Sequence, residues 1–250
     1  MSILDQMEAI GLEEAKAVRL MNRVDRKYLA SADVMEELLG RVTDGYRVQE
    51  IAAGNRIAPY RTLYFDTDDL AMYTMHHNGK RNRQKLRVRT YRSTNTTFFE
   101  LKNKDNKGKT RKVRIPIDVA MFDRSLEVPE VKDFVNGNTT YKTDSLHECL
   151  ENRFERITLV DKGMKERITI DRGIAFHNRA TGFDADISHL MVIEVKHEVG
   201  APMSEIEKAL HEMHVLPRRM SKYCIGTALT DPNAKSNRFK QKLLYIEKIK

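Results

Sequence analysis

The sequence predicts an α+β fold in which an antiparallel β-barrel encloses a basic lumen and helices surround it. Seven strand-like segments carry ionic residues at every second position and aliphatic residues between them. Amphipathic helical segments are interspersed among these strands, and they need the aliphatic faces of the strands to pack on. Because a closed sheet must place all its charged faces on one side, we expect the charges inside and the helices outside.

The N-terminal part of the chain combines helical and strand patterns. Residues 5–21 show apolar residues at helical spacing, which predicts an amphipathic N-terminal helix. The segment RVDRKYLA follows as a strand, in which Asp25 and Lys27 share one face. Asp33 then opens a helix that continues to about Leu39, because D-x-x-E is a typical start signal.

Two strands rich in aromatic and β-branched residues are predicted next, at 46–51 and 60–66, followed by a short helix at 68–77. The stretch 85–104, KLRVRTYRSTNTTFFELKNK, shows the alternation most clearly and reads as a hairpin. Arg87 and Arg89 share a face of its first strand. Glu100 and Lys102 share a face of the second, so this sheet face presents a row of cations.

The remaining strands repeat this design. RKVRIPI places Lys112 on a charged face, and the hairpin around Asp161-Lys162-Gly163 places Arg156 on one strand and Arg167, Thr169 and Asp171 on the other. LMVIEVKHE then aligns Glu194 with Lys196. Residues 118–152 are predicted to form helices without chemistry. The C-terminal part is predicted as a helix at about 204–214, the loop LPRRMSKY, a helix to about Leu229, and a basic terminal helix within 230–250 that docks on the domain.

Composition restricts the class of partner. The 250 residues include 32% charged residues and carry a net charge of +8, which favours an anionic partner such as nucleic acid, polyphosphate, nucleotide or anionic lipid. Only two cysteines occur, and no signal-peptide pattern or membrane-length apolar run is found, so we expect a cytoplasmic protein. Zinc-ligand spacing, GxxxxGK[ST], GxGxxG and GxSxG are absent, which excludes the commonest nucleotide-binding and hydrolase fingerprints.

A lumen lined by many cations repels itself. At about 6 Å and an effective dielectric constant near 20, each neighbouring pair costs roughly 3 kcal/mol. A polyanion such as triphosphate or a phosphate chain would offset this repulsion, with arginine forks and lysine point charges binding its oxygens. Glu194 would repel phosphate unless a hard divalent ion such as Mg²⁺ or Mn²⁺ lay between them. The predicted cations of the lumen are Lys27, Arg87, Arg89, Lys102, Lys112, Arg156, Arg167 and Lys196.

An ordered set of segments resembles a known family. YRTLYFDT, KLRVRTY, FELKNK, TRKVRIPI, ERITID, VIEVKHE and RRMSKYCIG, in this order, resemble the VTC (vacuolar transporter chaperone) polyphosphate-polymerase domain in its compact bacterial form. That domain belongs to the triphosphate tunnel metalloenzymes, which are related to CYTH adenylate cyclases and triphosphatases. The resemblance covers about residues 22–229, so we expect one domain, with residues 1–21 and 230–250 as flanking helices.

The resemblance also implies residue roles. It implies a basic β-tunnel, a divalent metal, and transfer of the ATP γ-phosphate onto a growing polyphosphate chain. By motif, Lys27 is the basic residue of the first tunnel strand and Glu194 is the metal-binding glutamate. Phosphate binding is implied for Arg87, Arg89, Arg156, Arg167, Arg219 and Lys222, of which the last two close the tunnel, while Lys102 and Lys112 line its walls.

Two departures from the family pattern bear on function. Asp25-Arg26-Lys27 stands where related triphosphatases have ExExK, which implies fewer metal ligands. No SPX-like domain is present, so coupling to membrane transport would require a membrane-protein partner. We therefore predict a metal-dependent polyphosphate polymerase that uses ATP, with a triphosphatase or a non-catalytic polyphosphate or nucleotide sensor as alternatives. Nucleic acid ranks below these, because stacking aromatics are not evident in the basic strands.

Overall fold

The computed structural model describes residues 2–18 and 23–249 and arranges them around one curled β-sheet. Its strands are β1 (Glu8–Gly11), β2 (Arg23–Ala30), β3 (Tyr46–Glu50), β4 (Ala58–Asp66), β5 (Arg83–Tyr91), β6 (Thr96–Lys104), β7 (Thr110–Ile117), β8 (His147–Asp161), β9 (Glu166–Asn178), β10 (Asp184–Asp186) and β11 (Met191–Glu198). Its α-helices are α1 (Ile3–Gln6), α2 (Leu12–Lys16), α3 (Ala32–Val42), α4 (Ala71–His77), α5 (Pro129–Asn138), α6 (Glu205–Glu212), α7 (Lys222–Thr230) and α8 (Lys240–Lys248). Short 3₁₀ helices cover Val119–Glu127, Thr143–Ser145 and Asn237–Phe239.

The main path of the sheet is antiparallel, with the strand order β2-β11-β9-β8-β4-β5-β6-β7. β10 pairs with β9 in antiparallel orientation, while β3 pairs antiparallel with β8 and parallel with β1. The sheet curls into a half-barrel. Its curvature brings the charges of Lys27 on β2 and Glu194 on β11 close enough to perturb the pKa of Lys102 on β6. The predicted antiparallel barrel with a basic lumen is therefore confirmed, as a curled half-barrel.

The aliphatic face of the sheet lies outside and is covered in two places. On β2, β11, β9 and β8, helices α1, α3 and α6 pack over a core that includes Tyr28, Ile170 and Ile193. On β4 to β7, α5 and the helix Val119–Glu127 pack over Leu63, Val88, Phe99 and their neighbours. Because side chains alternate along each strand, this outer burial leaves the intervening charged residues facing the lumen.

Helix α7 closes one end of the lumen. With α8 it packs against Leu29, Tyr64 and Val192, which lie on the inner face of the sheet. The approach is so close that a Cβ atom on Gly226 would lie 2.5 Å from a ring carbon of Phe176 and 2.6 Å from a methyl carbon of Leu150. Only glycine at this position lets α7 reach the sheet, so α7 acts as a plug.

The predicted helix over residues 5–21 is wrong. Within residues 2–18 the chain forms α1, β1 and α2, while residues 19–21 lie outside the described ranges. β1 pairs in parallel with β3, with Ile10 opposite Gln49 and only 1% exposed. Pairing with β3 outweighs the helical spacing of the apolar residues, because tertiary contacts override weak local propensity.

Two further predictions need correction. The helix expected near residues 145–152 is wrong. β8 begins at His147, and it forms hydrogen-bonded pairs with β4 on one side and β9 on the other. The terminal helix expected over 230–250 is shorter: α8 spans Lys240–Lys248 and docks through Ile246, which is 3% exposed. Among the described residues, none of the helices has the length and apolar character needed to cross a membrane.

Candidate active site in the lumen

On the inner face of the sheet, three largely enclosed carboxylates each contact two cations. The first is Glu194 on β11. Its Oε1 lies 2.8 Å from Lys27 Nζ on β2 and its Oε2 lies 2.6 Å from Lys196 Nζ. Burial alone would raise the pKa of Glu194, but the two lysines outweigh burial and hold this pKa well below its usual value. Glu194 is therefore an ionised carboxylate at neutral pH. Asp25, from β2, lies 3.9 Å from the same Lys196 ammonium group.

The second carboxylate is Glu100 on β6, which is fully buried. Arg87 on β5 donates from Nε and Nη2 to Glu100 Oε2 at 2.8 and 2.6 Å, and Lys112 on β7 contacts Oε1. Burial raises the pKa of Glu100, but Arg87, Arg89 and Lys112 outweigh it and lower the pKa to about 2. The register of the hairpin explains the contact, since Arg87 and Glu100 are direct cross-strand partners. Lys112 stays mostly protonated at neutral pH, because burial lowers its pKa only to about 8.

The third carboxylate is Asp171 on β9, which the alternation placed on the charged face without a role. Arg156 on β8 donates to both of its oxygens, at 2.6 and 2.9 Å, and Lys222 at the start of α7 contacts the same group. Burial raises the pKa of Asp171, but Arg156 and Lys222 outweigh burial and hold the pKa far below the usual value. Asp171 thus fixes the plug helix to the wall of the lumen.

Three predicted cations, Arg89, Lys102 and Arg167, form no ion pair within the described residues. The buried Arg89 donates only from Nε, to Thr62 Oγ1 at 3.0 Å. Lys102 lies between Lys85 and Lys112 in the strand register, and its side chain is accessible within the lumen although protein surrounds it. The pKa of Lys102 is well below its usual value, first because of Arg87 and then because of burial. These side chains have unused donors for an anion.

Arg219 and Lys222, the predicted basic pair of the loop and α7, lie in different places. Lys222 lies in the lumen, where burial is the main cause that lowers its pKa to about 8. Arg219 is exposed, and its charge acts on Arg83 and Lys104 at the end of the lumen, outside the three carboxylate groups. The structure therefore brings all the predicted lumen cations together and places Arg219 beside them, at the rim.

Comparison with known proteins identifies the family. The VTC domain profile matches residues 22–230. The chain belongs to the VTC domain family. Two solved structures share the fold. One is a candidate adenylate cyclase from Bacillus halodurans, with a TM-score of 0.51 and 16% identity over 80% of this chain and 94% of that chain. The other is a candidate adenylyl cyclase from Hippeastrum with a dominant triphosphatase activity, with a TM-score of 0.55 and 16% identity over 84% of this chain and 97% of that chain. No curated protein sequence gives a match to this chain.

The carboxylates of this VTC domain could hold a metal ion only together with ligands that the protein does not supply. In the described ranges, no group of three or more His, Cys, Asp or Glu side chains is placed to hold a metal ion. Both oxygens of Glu194 are engaged by lysines. Mg²⁺ and similar ions are nevertheless held in many phosphate sites by one or two carboxylates, with phosphate oxygens and water completing the shell. Glu194 with Asp25 fits that type of site and no all-protein cage.

An aromatic row in the lumen of this VTC domain was not foreseen. The rings of Phe154 and Tyr60 stack at 5.0 Å, Tyr91 lies 5.1 Å from Tyr60, and Phe98 lies 6.0 Å from Tyr91. The Arg156 guanidinium lies 5.0 Å from the centre of the Tyr60 ring. The expectation that the basic strands lack interleaved aromatics is therefore wrong. The signal was present, because Tyr91 shares the charged face of β5 with Arg87 and Arg89.

Proposed function

We propose that this VTC domain is a metal-dependent polyphosphate polymerase, which transfers the γ-phosphate of ATP to a growing polyphosphate chain in the lumen. The observation that carries the proposal is the excess of cations over carboxylates on the inner face of the sheet. Within the described residues, Arg89, Lys102 and Arg167 have no carboxylate partner, so a linear polyanion would complete the electrostatics of the lumen. Membership of the VTC family supports polyphosphate as that polyanion.

The reaction requires little covalent chemistry from the protein. A terminal oxygen of the phosphate chain attacks the γ-phosphorus of ATP, the bond from that phosphorus to the β–γ bridging oxygen breaks, and ADP leaves with the electron pair. Positioning and charge stabilisation contribute most of the rate acceleration in such transfers. Arg87, Arg89 and Arg156 would orient phosphate oxygens by planar forks, and Lys27, Lys102 and Lys196 would neutralise charge as compact ammonium groups.

The cofactor proposed for this site is Mn²⁺ or Mg²⁺. When bound, such an ion neutralises charge on the phosphate oxygens and helps to orient the γ-phosphate. Glu194 would hold it, with Asp25 as a second carboxylate on the neighbouring strand. Lys27 and Lys196 keep Glu194 ionised and oriented until the substrate arrives. The remaining roles fall to Lys112 beside Glu100, Arg167 near Glu194, and Lys222 beside Asp171, which would line the phosphate path.

A triphosphatase is the second candidate. The Hippeastrum protein with the same fold has a dominant triphosphatase activity, and water could replace the phosphate chain as acceptor in the same lumen. A non-catalytic sensor would use the same cations for binding alone.

One experiment separates these functions. Purified protein is incubated with ATP and Mn²⁺ or Mg²⁺, and ADP, free phosphate and chain length are measured together. A polymerase forms ADP and a lengthening phosphate chain, a triphosphatase releases phosphate without a chain, and a sensor binds tripolyphosphate without turnover. Glu194→Gln should abolish turnover and retain tripolyphosphate binding, while Glu198→Gln, at the exposed end of the same strand, should leave turnover intact. Failure of both ATP and tripolyphosphate to bind would refute the proposal.

A further inference from the structure

The cations of the lumen continue beyond the three carboxylate groups. Along β5, Arg89 and Arg87 are followed on the same face by Lys85 and Arg83. In the register of the hairpin Lys85 lies opposite Lys102, and Arg83 lies opposite Lys104 on β6. Since residues two apart on a strand are separated by about 6.8 Å, this double row extends the charged track by two further steps, toward α7.

Several elements meet where this track ends. Lys85 Nζ donates to Ser221 Oγ, the N-cap of α7, at 2.7 Å, so α7 begins directly at the track. Arg219 precedes this cap by two residues. Cys224 of α7 contacts His76 of α4 at 2.9 Å. His76 lies against Phe239, over which Lys242 of α8 is placed at 5.7 Å from the ring centre. We name Arg83, Lys85, Lys104, Arg219 and Lys242 the terminal cation cluster.

The terminal cation cluster differs from the lumen in having no carboxylate partner. Within the described part of the chain, none of its five members forms an ion pair, whereas six lumen cations share Glu100, Asp171 and Glu194. Asp105 acts on Lys104 and partly offsets the repulsion there. Arg83 uses one donor on a backbone oxygen, that of Lys80, at 2.7 Å.

Burial and the neighbouring cations lower the pKa values of groups in and beside the cluster. Burial is the first cause that lowers the pKa of Lys104, and Arg83, Arg219 and Arg81 lower it further. Burial also lowers the pKa of His76 to about 2, with Lys85, Arg83, Lys242 and Lys104 as further causes, so this imidazole is neutral at pH 7. The cluster is therefore crowded and electrostatically incomplete.

We propose that the terminal cation cluster is a second binding site for an oligophosphate, continuous with the lumen. This inference rests on the proposed function and deepens it, because it assigns a place to the part of a phosphate chain that lies beyond the reacting end. A linear polyanion with a charge on every unit matches cations at every second residue of two paired strands. The same chemistry could come from two sources: the distal end of the chain that occupies the lumen, or a separate oligophosphate that binds at the rim.

The test compares short and long phosphate chains. Arg83→Gln combined with Lys104→Gln removes two members of the cluster, and Lys165→Gln combined with Lys208→Gln removes the same charge from exposed sites elsewhere. Binding of tripolyphosphate and of chains of several tens of phosphates is measured by calorimetry at several salt concentrations. We expect the cluster variant to bind the long chain about tenfold more weakly than the control variant does. Its log K against log salt should be less steep by about 1.4, or about 0.7 for each cation removed.

The stoichiometry distinguishes the two sources. Two tripolyphosphate ions per wild-type protein and one per cluster variant would assign the site to a separate oligophosphate. One ion for both proteins, with a loss confined to the long chain, would assign it to the distal end of the chain. Equal affinities in the cluster and control variants would overturn the inference. An equal loss of affinity for short and long chains, with one tripolyphosphate ion bound to both wild type and cluster variant, would also overturn it, because the cluster would then only contribute to the field of the lumen.

The binding data also distinguish failure of this inference from failure of the proposed function. If the wild-type protein binds neither phosphate, the proposed function and this inference both fall. Because the double variant could fold poorly, Arg219→Gln provides a second test at an exposed side chain. It should weaken long-chain binding about threefold while the circular dichroism and thermal midpoint stay unchanged, and an unchanged affinity would contradict the inference.

Discussion

The buried Glu100 group allows a quantitative test of how the lumen is held together. Glu100→Gln keeps the shape of the side chain and removes the charge that Arg87 and Lys112 contact. Glu100 has a folded-state pKa of about 2, against 4.5 for the ordinary side chain. Because this pKa is depressed, the ionised group stabilises the folded state fully above pH 4.5. That stabilisation is lost as the pH falls from 4.5 toward 2.

The size of the effect follows from the depression of the pKa. Each unit corresponds to about 1.4 kcal/mol, so a depression from 4.5 to about 2 corresponds to about 3 kcal/mol of unfolding free energy at pH 7. The side chain is fully buried, and solvent screening therefore does not reduce this figure as it would at the surface. We expect Glu100→Gln to lower the free energy of unfolding by about 3 kcal/mol at pH 7 and by much less near pH 2.

Equilibrium unfolding in urea at pH 7, 5.5, 4 and 3 measures this difference. Asp171 and Glu151 also titrate in the acid range, so the comparison is made between variant and wild type at each pH and not along one curve. Glu155→Gln is the matched control, because its pair with Arg172 is partly exposed on the same sheet, and the loss there should stay below about 1 kcal/mol at every pH. A loss for Glu100→Gln below 1 kcal/mol at pH 7, or one that does not shrink on acidification, would refute the reasoning.

Three further predictions concern the walls, the plug and the free arginine. Asp171→Asn leaves Arg156 buried without a carboxylate, which costs about 3 to 5 kcal/mol of unfolding free energy and should lower the thermal midpoint by about 6 to 20 °C. Tripolyphosphate should raise the thermal midpoint of the variant by more than that of wild type, and equal increases in the two proteins would contradict this. Gly226→Ala should cost about 1 to 3 kcal/mol in urea unfolding because its Cβ would overlap the sheet, while Gly40→Ala, with open space in α3, should stabilise by about 0.5 to 1 kcal/mol. Arg89→Lys should weaken tripolyphosphate binding by about 10- to 100-fold in calorimetry, and an unchanged affinity would remove Arg89 from the proposed site.

Local periodicity was sufficient to predict the inner face of the sheet. The alternation along 85–104 identified Arg87, Arg89 and Lys102 as one charged face, and the structure places them in the lumen. This works because the two-residue period of a strand is a property of the backbone, independent of the rest of the fold. Helix α3 was predicted from a local signal as well, the D-x-x-E that begins at Asp33, although the helix begins at Ala32 with Ser31 as its N-cap and ends at Val42.

The errors arise where tertiary pairing decides the structure. β1 and the start of β8 carry sequences that also suit a helix, and they become strands because neighbouring strands accept their hydrogen bonds. The ion-pair partners of each carboxylate could not be predicted from the sequence either. Asp171 meets Arg156 only in the register of β8 and β9, which shifts between Arg153 and Glu155, and it meets Lys222 only because α7 returns to the sheet. No local pattern encodes such a shift.

The division between paired and unpaired cations explains how a strongly basic lumen can fold before any anion arrives. Without acids, neighbouring cations at about 6 Å would each cost roughly 3 kcal/mol, and several such pairs would exceed the stability of a typical domain. Glu100, Asp171 and Glu194 each neutralise one charge of a pair in the buried part of the lumen, and they orient the pair as they do so. The residual charge on each pair then remains available to a phosphate oxygen. The terminal cation cluster contains no such acid, and it is tolerated because the exposed Arg219 and the end of the hairpin lie near water, which screens their repulsion. Acids paired with cations inside the lumen, and a position at the rim for the cluster, are thus two solutions to the same electrostatic problem. A phosphate chain that runs from the lumen to the rim would satisfy both.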